Sequence, residues 1–159
     1  DLVNASSSWS HELDAAVAAW RGRLRDTEVH LILGNHDRAA GPLPAGWGIE
    51  VHEGPFVDAH LRLMHEPVWA PQAQPADSVA TAPGEPRLGL AGHLHPAARL
   101  RERRGGGLRA RCFWLHRGVL VLPAFGSFTG GARVQAEPGD RVFMLGPDAV
   151  VEVPLAALT

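Results

Sequence analysis

At 159 residues, 45% hydrophobic and 20% charged, the chain is long enough to bury a core and has the composition of an ordinary folded domain. Its net charge of −2 excludes a globally basic nucleic-acid binder, so any affinity for nucleic acid has to come from a local patch. The single cysteine, Cys112, excludes an internal disulfide, and no run approaches the roughly 20 apolar residues of a membrane span; both suit a cytoplasmic protein without a membrane partner.

Residues from about Ser10 to Arg25 are expected to form an amphipathic helix. Leu13, Val17, Trp20 and Leu24 make one apolar stripe, with Ser10 as N-cap. Glu12 and Asp14 fall near the positive end of the helix dipole, and Arg21, Arg23 and Arg25 near the negative end. Val29 to Leu33 reads as a short strand ending at Gly34, which places Asn35 to Asp37 in a loop at the carboxyl end of a strand, where open α/β sheets put ligands. Ile49–His52 and Phe56–His65 read as further strands, with Leu61, Leu63 and His65 on one face. Residues 67–87, rich in Pro, Ala and Gln without periodicity, read as a flexible loop.

Leu88–Ala91 is expected to be a buried strand ending at Gly92. From Ala97 onward the chain reads as β: Ala97–Arg104, Leu108–Leu115, Val119–Leu122, Arg141–Leu145 and Val150–Val153, with Gly105–Gly107 joining the first two as a hairpin. One early helix followed by strands predicts an α/β fold in a single domain. Cys112, Trp114, Phe125 and Phe128 are assigned to the core, and His11, His30, His52, His60 and His116 to solvated or hydrogen-bonded positions.

Chemistry concentrates in three blocks: Gly34-Asn35-His36-Asp37, His65, and Gly92-His93-Leu94-His95. Two divalent metals about 3.5–4 Å apart can clamp a phosphoryl group and activate a hydroxide. They need carboxylate, imidazole and amide donors held on loops at one end of a rigid sheet. Asp1, Asn35, His65, His93 and His95 supply those donors.

In their order and spacing the blocks resemble the calcineurin-like metallophosphoesterase superfamily, whose pattern runs Asp-x-His, Gly-Asp, Gly-Asn-His-Asp/Glu, His, Gly-His-x-His. Asp1-Leu2-Val3-Asn4 resembles the aspartate end of the Gly-Asp block, and the Asp-x-His block is absent. A narrower resemblance to the bacterial ligase-associated DNA-damage-response endonucleases rests on Gly34–Arg38, His65-Glu66-Pro67, Gly92–Pro96, Cys112-Phe113-Trp114 and Leu122–Gly131. The resemblance implies a four-layer α/β/β/α sandwich that is N-terminally truncated, lacking its first strand and the following helix. A sheet short of a central strand would leave backbone groups unpaired, so the isolated chain is expected to be unstable or self-associating.

It also implies a site. Asp1 would bridge two divalent ions, Mn2+ first and Fe, Zn or Ni as alternatives. Asn35, His65 and His93 would complete one ion's shell and His95 would join the other. His36 would contact the phosphate or protonate the leaving oxygen, oriented by Asp37. The implied activity is hydrolysis of DNA, single-stranded in the first instance, as an endonuclease or phosphodiesterase in repair, with a DNA ligase or helicase as partner. A phosphatase or phosphodiesterase acting on small nucleotides, or a non-catalytic scaffold of the same fold, remain the competing readings.

The arginines give a further expectation. Lysine is absent, and all 15 basic residues are arginine. Arg99, Arg101 and Arg103 alternate on one predicted strand, and a three-residue Gly105–Gly107 loop would set Arg103 opposite Arg109 and Arg101 opposite Arg111. Like charges across a sheet are destabilising unless an anion separates them, and a phosphate backbone is such an anion. Arg101, Arg103, Arg109 and Arg111, with Arg38 beside the Gly34–Asp37 block, are therefore the candidate substrate contacts. The competing role is a charged strand edge that discourages aggregation.

Overall fold

The computed structural model describes residues 1–4, 9–69, 86–101, 107–127 and 129–159. Their contacts divide the chain into two compact units, Asp1–Phe56 and Val57–Thr159.

The first unit opens with helix α1 (His11–Arg23). Ser10 caps it as expected, its side-chain oxygen accepting the Leu13 N–H at 3.1 Å. The predicted stripe does the packing: Val17 is buried, and Leu13 and Trp20 lie against a cluster that also contains Val3, Ala40 and Trp47. The indole nitrogen of Trp47 donates to Asp14 at 3.0 Å, and that of Trp9 to the Ala40 carbonyl at 2.9 Å, so both polar ring edges are satisfied. Strand β1 (His30–Ile32) pairs in parallel with β2 (Glu50–His52), in the register His30 to Glu50 and Ile32 to His52. Between them lie helix α2 (Asn35–Ala40) and a single 3-10 turn, Ala45–Trp47. The Gly34–Asp37 block is thus not in a loop but forms the first turn of α2, with Gly34 as its N-cap. Asp37, at the third helical position, accepts the Gly34 N–H at 3.0 Å, which closes the turn. Six residues are too few for a periodic apolar pattern to announce a helix.

The second unit is built on a sheet. The predicted strand Phe56–His65 is two, β3 (Phe56–Asp58) and β4 (Leu61–Met64), broken at Ala59, which has a left-handed φ of 49°. Next come β5 (Leu88–Ala91), β6 (Pro96–Arg99), β7 (Arg109–His116), β8 (Val119–Val121), β9 (Ala132–Arg133), β10 (Arg141–Leu145) and β11 (Val150–Val153). The strands run in the order β11-β10-β7-β8-β5-β4-β3, with β6 beside β7 and β9 beside β6. Strand β5 is parallel to both β4 and β8, whereas β7, β10 and β11 are antiparallel neighbours. Ala98, Cys112, Val134, Val142, Met144 and Val153 form the main core of this unit. Burial pushes the Cys112 thiol up to about 11, so it stays protonated and inert, a small core residue as predicted.

Two expectations change. The hairpin register is Ala97 to Arg111 and Arg99 to Arg109, so Arg101 does not face Arg111. The predicted register would set Ala98 against Trp114, but Trp114 already pairs with Val142 on one strand and Val121 on another. Strand β6 is therefore held to the first three residues of β7. Phe125 is fully exposed rather than core, while Trp114 packs on the core as expected. His116 is hydrogen-bonded as expected, buried with its Nδ1 2.7 Å from Asp140. Of the 67–87 segment, residues 70–85 lie outside the described residues; Trp69, which lies within them, packs on Met64, Ala91 and Val119 and meets the Trp114 and His116 rings. Arg103, Gly105, Gly106 and Phe128 are also outside the described residues.

Candidate metal centre

In the first unit the predicted residues are tied together through the backbone. Asp37 is 1% exposed, and its carboxylate accepts the Leu2 N–H at 2.7 Å, the Val3 N–H at 2.8 Å and the Gly34 N–H at 3.0 Å. Burial alone would push this carboxyl up. The three backbone N–H groups and the positive charge of the nearby amino terminus outweigh it and hold Asp37 below the usual carboxylate value. Asp37 thereby pins residues 2 and 3 against the start of α2. That brings the Asn4 carbonyl to 3.2 Å from His36 Nδ1 and the Asp1 carboxylate to 3.0 Å from the His36 N–H. A carbonyl only accepts, so His36 Nδ1 carries the proton and Nε2 is the nitrogen available for proton exchange. Asp37 and His36 are thus linked through the segment from Leu2 to Asn4. Arg38 donates to the Glu53 carbonyl at 2.8 Å.

In the second unit the parallel pairing of β4 and β5 decides the geometry. Met64 lies opposite Ala91, so the next residues, His65 and Gly92, leave the sheet side by side, with Gly92 N–H donating to the His65 carbonyl at 3.0 Å. The turn that follows is tight: Leu94 N–H reaches the Gly92 carbonyl at 2.7 Å, and His93 and His95 take left-handed φ values of 64° and 49°. Such values are uncommon for residues with a side chain and concentrate at functional sites. The result places His93 Nδ1 3.0 Å from His65 Nε2. That is a hydrogen-bond distance, and two nitrogens bound to one tetrahedral ion at about 2.0–2.1 Å would sit about 0.3 Å further apart. The other nitrogen of His93 faces Glu66 Oε1 at 3.2 Å, the kind of partner that fixes a ligand's tautomer. Sequence reasoning did not single out Glu66 as a site residue, although it directly follows His65.

Beside these histidines the third parallel strand, β8, delivers another loop to the same edge, its Leu122 N–H donating to the Ala91 carbonyl at 2.8 Å. Arg111 holds that loop. Its guanidinium donates to the carbonyls of Ala124 at 3.0 Å and Gly126 at 2.7 Å, and to Ser127 and Thr129 at 3.4 and 3.3 Å. Arg109 donates to the Gly131 carbonyl. Gly131 is required there, because a Cβ would lie 2.8 Å from that of Ala97. The Arg101 N–H donates to the Ala157 carbonyl.

A different trio was passed over in sequence. Among the described residues, His30, Glu50 and His52 bring three ligand atoms within 4.8 Å of one another. The signal was present, since Glu50 and His52 are two apart on one strand and His30 opens the strand that pairs with it.

The chain is a mixed α/β protein, similar to a nuclease of known structure. That nuclease is MPE of Pseudomonas putida, with 34% sequence identity and a TM-score of 0.70 over 94% of this chain and 65% of the other. The chain therefore spans just under two thirds of the length of that nuclease. No protein-family model and no curated protein matches the chain. Among the described residues, no helix is long and apolar enough to cross a membrane.

Proposed function

We propose that the chain carries the site of a metal-dependent phosphodiesterase of the calcineurin-like superfamily, acting on DNA and folded as one four-layer α/β/β/α domain. The observation that carries this reading is the convergence of His65 and His93 at the carboxyl ends of adjacent parallel strands. The nuclease similarity points to the same chemistry. Asp1, Asn35, His65, His93 and His95 would hold two divalent ions, Mn2+ first among Fe, Zn and Ni. When bound, such ions neutralise charge on the phosphoryl oxygens and activate water. His36, its Nδ1–H held by the Asn4 carbonyl, takes up a second proton at Nε2 from solvent and passes that proton to the leaving oxygen, and Asp37 is the residue that positions it. The repair role, with a DNA ligase or helicase as partner, follows the narrower resemblance.

In this reading Arg109 and Arg111 serve the substrate by shaping the 122–131 loop, and Arg38, Arg101 and Arg103 supply further positive charge. Phe125, exposed on the loop that Arg111 secures, is the residue for a base to stack upon. Replacing Phe125 by alanine is expected to weaken single-stranded DNA binding about tenfold, from a stacking contribution of roughly 1–3 kcal/mol per base. The melting temperature should stay unchanged, because the ring buries nothing. Unaltered affinity in a fluorescence-anisotropy titration would remove Phe125 from the substrate path.

The test of the function is Mn2+-dependent cleavage of single-stranded DNA. It is run beside a cyclic nucleotide and a phosphomonoester. The expected result is DNA cleavage that chelation abolishes. Preference for either small substrate would move the protein to the nucleotide phosphoesterases. Metal binding without hydrolysis would make it a scaffold.

A further inference from the structure

We propose a second metal site, made by His30, Glu50 and His52 on the β1–β2 pair and specific for a borderline divalent ion, Zn2+ being the best fit. The parallel register turns His30, Glu50 and His52 to one face of the pair. His30 Nδ1 is 3.0 Å from His52 Nε2 and 3.6 Å from Glu50 Oε2, and His52 Nε2 is 3.7 Å from Glu50 Oε1. Ligand atoms around a tetrahedral Zn2+, bound at about 2.0–2.2 Å, are separated by about 3.3–3.5 Å. The two Glu50 distances run to different oxygens of its carboxylate, and one donor atom from each residue lies within 4.8 Å of the other two, so a small rotation of the Glu50 side chain would draw the three donors in around an ion. Two imidazoles and a carboxylate are also the donor set that borderline ions prefer, whereas Mg2+ and Ca2+ prefer oxygen alone.

The surroundings favour an ion over a plain hydrogen bond. Phe56 stacks on both imidazoles, with ring centroids 4.9 Å from His30 and 4.1 Å from His52, and so fixes their planes. His30 Nε2 has Glu28 Oε2 3.7 Å away, which favours the proton on that nitrogen and leaves Nδ1 as a lone pair. When the ion binds, the proton now shared between the rings moves to the outer nitrogen of its own imidazole, and no other group changes protonation. A surface cavity of about 380 Å³, lined by Arg25, Thr27, Glu28, His30 and Glu50 among others, gives the ion access. His30 is at the opposite end of β1 from the Asn35 block, five residues along the chain or up to about 16 Å of extended backbone. The bound ion thus clips together the two strands that present Gly34–Asp37, with a fourth position left to water.

The test is calorimetric titration of the full chain with Zn2+ alone, in a His65→Ala/His93→Ala background that removes the histidine pair of the other centre. One Zn2+ should still bind and raise the melting temperature. Adding His52→Ala should weaken that site at least about a hundredfold. Adding Glu50→Gln instead, at an exposed position that leaves the fold alone, should weaken it about tenfold. Matching circular dichroism spectra confirm that each variant is folded. Absence of a Zn2+ site in the His65→Ala/His93→Ala chain would overturn the proposal, as would an affinity indifferent to both Glu50→Gln and His52→Ala.

Discussion

Replacing His93 by alanine is expected to lower Mn2+-dependent DNA cleavage by at least about a hundredfold. Losing only the partner of a metal ligand costs about 10–100-fold in affinity or activity, and loss of the ligand should exceed that. One nitrogen of His93 meets His65 and the other Glu66. Glu66→Gln separates the two contacts. It keeps an acceptor for His93 Nε2 but removes the negative charge, so a loss nearer tenfold is expected, appearing as weaker Mn2+ binding rather than slower turnover at saturating metal. Alanine keeps the left-handed backbone that His93 already adopts, so the fold should survive. A His93→Ala protein that cleaves within a few-fold of the parent would remove this residue from the centre.

Asp37 carries the largest expected effect on stability. Its carboxylate accepts three backbone N–H groups in a buried setting, and Asp37→Ala would leave those donors without an acceptor. A cost of about 3 kcal/mol is expected, with a fall in melting temperature of roughly 6–12 °C for a chain of this size. The pH dependence gives the sign. The folded carboxyl titrates below its ordinary value of 3.8, so the unfolded chain takes up the proton first as pH falls. The contribution of Asp37 is therefore fully present above the ordinary value and is lost as pH drops through the lower folded one. Urea melts of parent and Asp37→Ala should differ by a constant amount between about pH 5 and 7, and should converge in stronger acid. A gap that persisted unchanged in acid would mean that the carboxylate charge contributes nothing.

What could be read in advance depended on whether a signal was local. Helix α1 was legible because 13 residues give the apolar stripe several turns in which to repeat, and Ser10 sits where a cap belongs. Strands β5, β10 and β11 have the predicted bounds, since each is a compact apolar or alternating run flanked by turn residues. Helix α2 and the two-residue β9 are too short to carry a period. The arginine register failed for a different reason. It depended on which strands occupy the edges of β7, a long-range fact that no hairpin rule contains. Phe125 was misassigned because an aromatic residue is core by default, and only the carbonyl clamp from Arg111 shows how the loop is held. The three blocks were legible as chemistry, yet the Asn4 carbonyl and the His30–Glu50–His52 trio became visible only once chain segments had been brought together.

The turn that holds His93 and His95 has an implication for how this protein tolerates change. Both residues occupy a region of backbone space that glycine enters freely and that other residues enter at a cost of about 1–2 kcal/mol each. At these two positions the fold is best served by the residue with no side chain, and the proposed metal chemistry by the residue with an imidazole. Selection for thermal stability alone would therefore drift toward glycine here and erase the proposed site while improving the scaffold. A stability screen would rank such sequences as gains, and only an assay of metal binding would reveal what they had given up.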